Sequence, residues 1–168
     1  MNILFELRDT FLRKLYPAIF LVTLAIAPAL ACQPPMDMPR DPAKAAAYWE
    51  KMLTSIEKKI FVEASTVVVA RVVRADAPDS GNNSGMITFS AKLTPVKPLR
   101  GPASAVRVGR VNYHWCADYK PSVVAGRVYL LAMTGTEIHG AVPLDEGKER
   151  ADVAAFFKRI AEPDPWRQ

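Results

Sequence analysis

Cysteine and histidine are both scarce, with two of each in 168 residues: Cys32, Cys116, His114 and His139. A closed zinc site needs four ligands of these kinds, and the chain barely supplies them. No Ser elbow, glycine-rich phosphate loop or His-Glu-x-x-His pattern occurs, which removes the commonest hydrolase, nucleotide and metalloprotease signatures. Charge of one sign is also missing. The 22 Lys/Arg against 17 Asp/Glu give a net of +5, too mild to argue for nucleic acid, and no basic and aromatic residues interleave as a base-stacking surface would require. The apolar run from Ala18 to Ala27 is too short to span a bilayer comfortably.

What is present begins with a leader. Arg8, Arg13 and Lys14 precede that apolar run, and Ala29-Leu30-Ala31 forms the small-x-small pattern that signal peptidases cut after. Residues 1–31 therefore read as a cleaved export signal, preferred over a retained signal anchor because polar, proline-rich sequence follows at once, and 32–168 as one domain, large enough for a real core. Cys32 would become the mature N-terminus. Three fates compete for it: a disulfide with Cys116, a lipid anchor suggested by Leu30-Ala31-Cys32, or a free reactive end. A thioether lipid consumes the sulfur and N-acylation removes the amine, so these fates exclude one another.

Asp41-Pro42 opens a helix, since Asp caps it, Pro suits its first turn, and Trp49, Met52, Leu53, Ile56 and Ile60 recur at helical spacing. Glu50, Lys51, Glu57 and Lys58 form its wet face. Residues 65–73, Ser-Thr-Val-Val-Val-Ala-Arg-Val-Val, are apolar on both faces and predict a strand covered on both sides. After a turn-rich stretch at 77–85, Ile87, Phe89, Ala91 and Leu93 alternate with Thr88, Ser90 and Lys92. Further strands are expected at 105–113, with Gly109 as a bulge, at 127–134 and at 137–143. Val153, Phe156, Phe157 and Ile160 predict a closing helix capped at Asp145. Alternation assigns Val67, Val69, Ile87, Phe89, Leu93, Val106, Val108, Tyr129 and Leu131 to the core. Helix, five strands and helix fit a small closed barrel, because closure removes sheet edges.

The order of these elements resembles netrin-like domains, the fold of tissue inhibitors of metalloproteinases and their bacterial relatives. Phe61, Ala64, Val67 and Val68 match the family's aromatic-x-x-Ala-x-x-Val-Val first strand. Arg100-Gly101 matches the basic-Gly pair that closes the crossing from second to third strand. The run from Cys116 to Met133 is similar to the family's Cys, loop and Gly-x-x-Tyr-Leu. The resemblance implies a mainly β, five-stranded OB-fold barrel with flanking N-terminal and C-terminal helices and a Cys32–Cys116 disulfide. It further implies an exported, non-enzymatic binding module in the periplasm or outside the cell, with no cofactor. In the animal inhibitors the first Cys chelates a protease's zinc through its amine and carbonyl while the next side chain enters the substrate pocket. Only Cys32 and Gln33 could inherit those roles, toward a protein partner that would be a zinc metalloproteinase. The alternative is a lipoprotein adaptor anchored to the outer membrane through Cys32, the one case in which a membrane becomes a partner.

Three other features have simpler readings. His114-Trp115-Cys116 could pair a thiol with a base or supply two metal ligands, but in an exported chain the preferred reading is a bonded Cys116 with Trp115 packed over it and His114 on the surface. Asp76, Asp79 and Glu63 lack the spacing of paired catalytic carboxylates and read as solvated residues near a turn. Asn82-Asn83-Ser84 is formally a glycosylation sequon, relevant only in a eukaryotic secretory pathway.

Overall fold

A computed structural model describes residues 37–79, 85–114 and 116–167. The leader, Cys32, Gln33, Trp115 and the sequon at Asn82 lie outside them. The fold below is that of the unit Pro39–Gln168.

Helix α1 (Pro42–Glu63) starts where the Asp41 carboxylate accepts the Lys44 N–H at 2.9 Å, satisfying one of the amide groups that a helix start leaves unpaired. Five strands follow: β1 (Thr66–Ala75), β2 (Met86–Arg100), β3 (Val108–His114), β4 (Val128–Thr134) and β5 (Glu137–Leu144). Helix α2 (Glu149–Arg159) closes the chain. The strands hydrogen-bond in the order β1-β2-β3-β5-β4, and β4 returns to β1, so the sheet closes in a ring. All pairings are antiparallel except the short β3–β5 contact, which is parallel and holds only Arg110 with Glu137 and Val111 with Ile138. Among the described residues no helix is long and apolar enough to cross a membrane.

Two apolar layers sit on opposite faces of this sheet. Val68, Ala70, Val72, Leu93, Val111, Leu131, Met133 and Ile138 form the cluster inside the ring. Val67, Val69, Val128, Leu130 and Ala132 face outward and are covered by Phe61 of α1 and Val153, Phe156 and Phe157 of α2. The Phe61 and Phe156 rings meet edge-to-face with centroids 4.6 Å apart. Thr66 through Ala70 are consequently all buried, as expected for a strand covered on both sides. The same geometry corrects the expected core. Val67 and Val69 belong to the helix layer, whereas Tyr129 and Leu131 belong to the ring interior. Ile87, Phe89 and Val106 are only half-buried, and Val108 is 46% exposed.

Four local expectations also change. β2 continues to Arg100 through Pro95 and Pro98, each of which sits next to a register shift in the β1–β2 ladder where β2 carries an extra residue, Val96 or Leu99, the kind of irregularity at which a strand tolerates proline. Residues 103–105 form a 3₁₀ turn, so β3 begins at Val108. Gly109 is not a bulge, since β2 and β3 stay in register through it; a Cβ there would collide with the Ile138 side chain. Lys148, not Asp145, occupies the N-cap of α2, while the Asp152 carboxylate accepts the Asp145 N–H at 2.7 Å.

The Arg100-Gly101 pair locks α1 onto the ring. The Arg100 guanidinium donates to the carbonyls of Phe61 and, at 2.8 Å, Ala64, satisfying acceptors that a helix end leaves unpaired. Gly101 adopts φ +69°, and a Cβ on it would meet the Ser65 carbonyl oxygen. The wet face of α1 is drier than expected at its end: Glu57, 15% exposed, binds Arg159 of α2 at 2.6 Å, and Lys58 reaches Glu162 at 2.9 Å.

Candidate functional site

The candidate site lies where β3 ends. β3 parts from β5 after Val111, leaving β5 without a neighbouring strand beyond Ile138 on that side. The connection from Cys116 to Arg127 fills this gap. Its Tyr119 hydroxyl accepts the Ala141 N–H at 3.1 Å and lies 3.4 Å from the Ala141 carbonyl, to which it donates. One hydroxyl thus replaces a strand partner. Burial raises the Tyr119 pKa above the usual phenol value, opposed by its bond to Ala141; Glu57 raises it further and Arg159 lowers it.

The rest of the connection is fastened to the sheet at several points. Pro121 and Val123 are buried, and the Tyr129 hydroxyl accepts the Val124 N–H at 3.0 Å. The Gly126 N–H donates to the Val72 carbonyl at 2.7 Å, and Arg71 donates to the Gly126 carbonyl at 3.1 Å while pairing with Glu146 at 2.6 Å. Such a strap, built on a rigid sheet, can present neighbouring residues in a fixed position.

Cys116 sits in the turn that starts the strap. The Ala117 N–H donates to the His114 carbonyl at 2.8 Å, and the Cys116 N–H donates to His114 Nδ1 at 3.2 Å. Cys116 carries no free thiol, and Nδ1 already accepts a bond, so the two are not arranged as a nucleophile beside an idle base. His139 is exposed on β5. Among the described residues no three His, Cys, Asp or Glu side chains converge as metal ligands would. The Asp76 carboxylate pairs with Arg74 at 3.1 Å, and the Asp79 backbone forms an isolated β-bridge with Thr88.

Of the residues singled out in the sequence, the structure places Cys116 and His114 together; Cys32 and Gln33 fall outside the described residues. Sequence reasoning passed over Tyr119. A buried hydroxyl answering one gap between strands leaves no periodic trace, and only the break in β3–β5 pairing reveals it. No family model matches the chain, and no curated protein matches it.

Proposed function

We propose that this chain is an exported, non-enzymatic binding module on an OB-type, netrin-like barrel, whose mature N-terminus at Cys32 is bridged to Cys116. In this reading Cys32 and Gln33 meet a protein partner, a zinc metalloproteinase. The observation that carries it is the setting of Cys116: its thiol is not free, it lies two residues beyond the end of β3, and the strap that it starts is anchored to the ring through Tyr119, Tyr129 and Gly126. The strand order with one parallel contact, and the Arg100-Gly101 lock between α1 and the β2–β3 crossing, support the OB-type assignment. A fold alone does not fix a function, so the weight falls on the terminus.

Chemically, an α-amine and a carbonyl on one residue close a five-membered chelate on zinc, taking the position that a catalytic site keeps open for water. The amine must be unprotonated, so inhibition should weaken as pH falls below its pKa, about 8 for an ordinary N-terminus. The test compares correctly processed protein with a form carrying one extra alanine before Cys32, against a panel of zinc proteases. Loss of inhibition in the extended form, with unchanged folding, supports the mechanism; equal inhibition by both forms excludes it. Mass spectrometry of the mature protein provides the complementary result, in which a two-hydrogen deficit supports the bridge and a diacylglyceryl increment supports the anchored adaptor instead.

A further inference from the structure

At the end of the ring away from Cys116, where β3 starts, two grooves of about 360 and 400 Å3 share Arg107 and Val108 and so form one trough. One end is lined by Pro102, Ala105 and Val106, the other by Arg74, Asp76, Ser90 and Lys92. The charges are unbalanced. Arg74 pairs with Asp76, but among the described residues Lys92 and Arg107 enter no ion pair, nor does Arg110 one groove further along β3, which shares its surroundings with Glu137. Arg107 is held in place: its Nη1 donates to the Ser104 and Val106 carbonyls at 2.9 Å each, leaving the remaining donors of the fork for a ligand. Val108, between the cations, is 46% exposed.

We propose that this trough docks an extended protein segment in which acidic residues alternate with small apolar ones. Carboxylates meet Lys92 and Arg107, and apolar side chains cover Val108 and enter the end lined by Pro102, Ala105 and Val106. The cations favour an acidic partner, and the apolar strip between them favours a peptide over a polyanionic glycan or nucleic acid, which would leave that strip uncovered. No aromatic side chain lines either of the two grooves to stack a sugar or base. The surface is separate from the strap that carries Cys116, so the proposal stands or falls independently of the Cys32 reading.

The full processed protein is titrated with a short end-blocked peptide alternating Glu with Val, with its Gln-for-Glu counterpart, and with a heparin-type oligosaccharide. Binding of the Glu peptide is expected, weakening with salt, with amide NMR shifts concentrated at 90–92 and 102–108. Lys92→Glu should weaken it roughly tenfold. Arg107→Gln should weaken it as well, and Lys92→Glu covers the case in which loss of the Arg107 carbonyl bonds disturbs folding. Protease inhibition, where present, should be unaffected by Lys92→Glu. Equal binding of the Gln peptide, tighter binding of the oligosaccharide, no binding of the Glu peptide, or shifts confined to the other end of the ring would each overturn the proposal.

Discussion

Tyr119 does with one hydroxyl what a strand edge does with a row of amides. Removing that hydroxyl leaves the half-buried Ala141 N–H and carbonyl without this partner, so Tyr119→Phe should cost about 1–3 kcal/mol, read by denaturant unfolding. A change below about 0.5 kcal/mol would mean that water replaces the hydroxyl. The pH dependence has a definite sign. Because the folded pKa is raised, folding favours the neutral phenol; this share of stability is present below the unfolded value near 10 and is lost as pH climbs through the folded value. Wild-type stability should therefore fall more steeply above about pH 10 than that of the Phe variant, and the late-ionising phenolate should vanish from the difference absorbance titration. Tyr119 was invisible in the sequence because its role depends on where two strands part, whereas the all-apolar run at Thr66 to Ala70 revealed its burial directly.

Among the elements, β1 shows best how far alternation can be trusted. A strand wet on one face announces its inward side, and β2 followed that rule: Ala91 and Leu93 are buried while Thr88 and Lys92 are exposed. β1 is apolar on both faces, so its sequence carries no information about which valines enter the ring, and Val67 and Val69 were grouped with the wrong neighbours. Val68→Ala and Val69→Ala should consequently each cost about 2 kcal/mol, despite pointing to opposite sides. Loss at only one of them, by thermal melting, would show that one layer is loosely packed. Phe89→Ala should fall below the 3–5 kcal/mol typical of a fully buried ring, because Phe89 is half-buried, whereas Phe61→Ala should reach it. The crossing after β2 is equally specific. Gly101→Ala puts a methyl group against the Ser65 carbonyl at a positive φ, and it should destabilise the protein by more than about 1 kcal/mol while Gly135→Ala, with open space around it, pays only the backbone strain.

For the molecule as a whole, the open question is what the two cysteines contribute to a ring that already buries two apolar layers. Cys116 stands at the junction of β3 with the strap, and in the proposed pairing Cys32 lies 84 positions earlier, so the bridge would close a loop enclosing α1, β1, β2 and β3. Closing such a loop restricts the unfolded chain and should add roughly 4–5 kcal/mol. For a domain of this size each kcal/mol moves the melting temperature by about 3–5 °C, which makes the effect large enough to read in a single scan. Cys116→Ser should therefore melt well below the wild type without reductant, and the two should converge once the wild type is reduced. The convergence discriminates more than the drop: the Ser hydroxyl keeps the packing of the turn, so a gap that persists in reductant would come from the Cys116 surroundings and not from the covalent link. Equal melting without reductant would remove the bridge from the reading, free the Cys32 sulfur for a thioether, and shift the function toward the anchored adaptor.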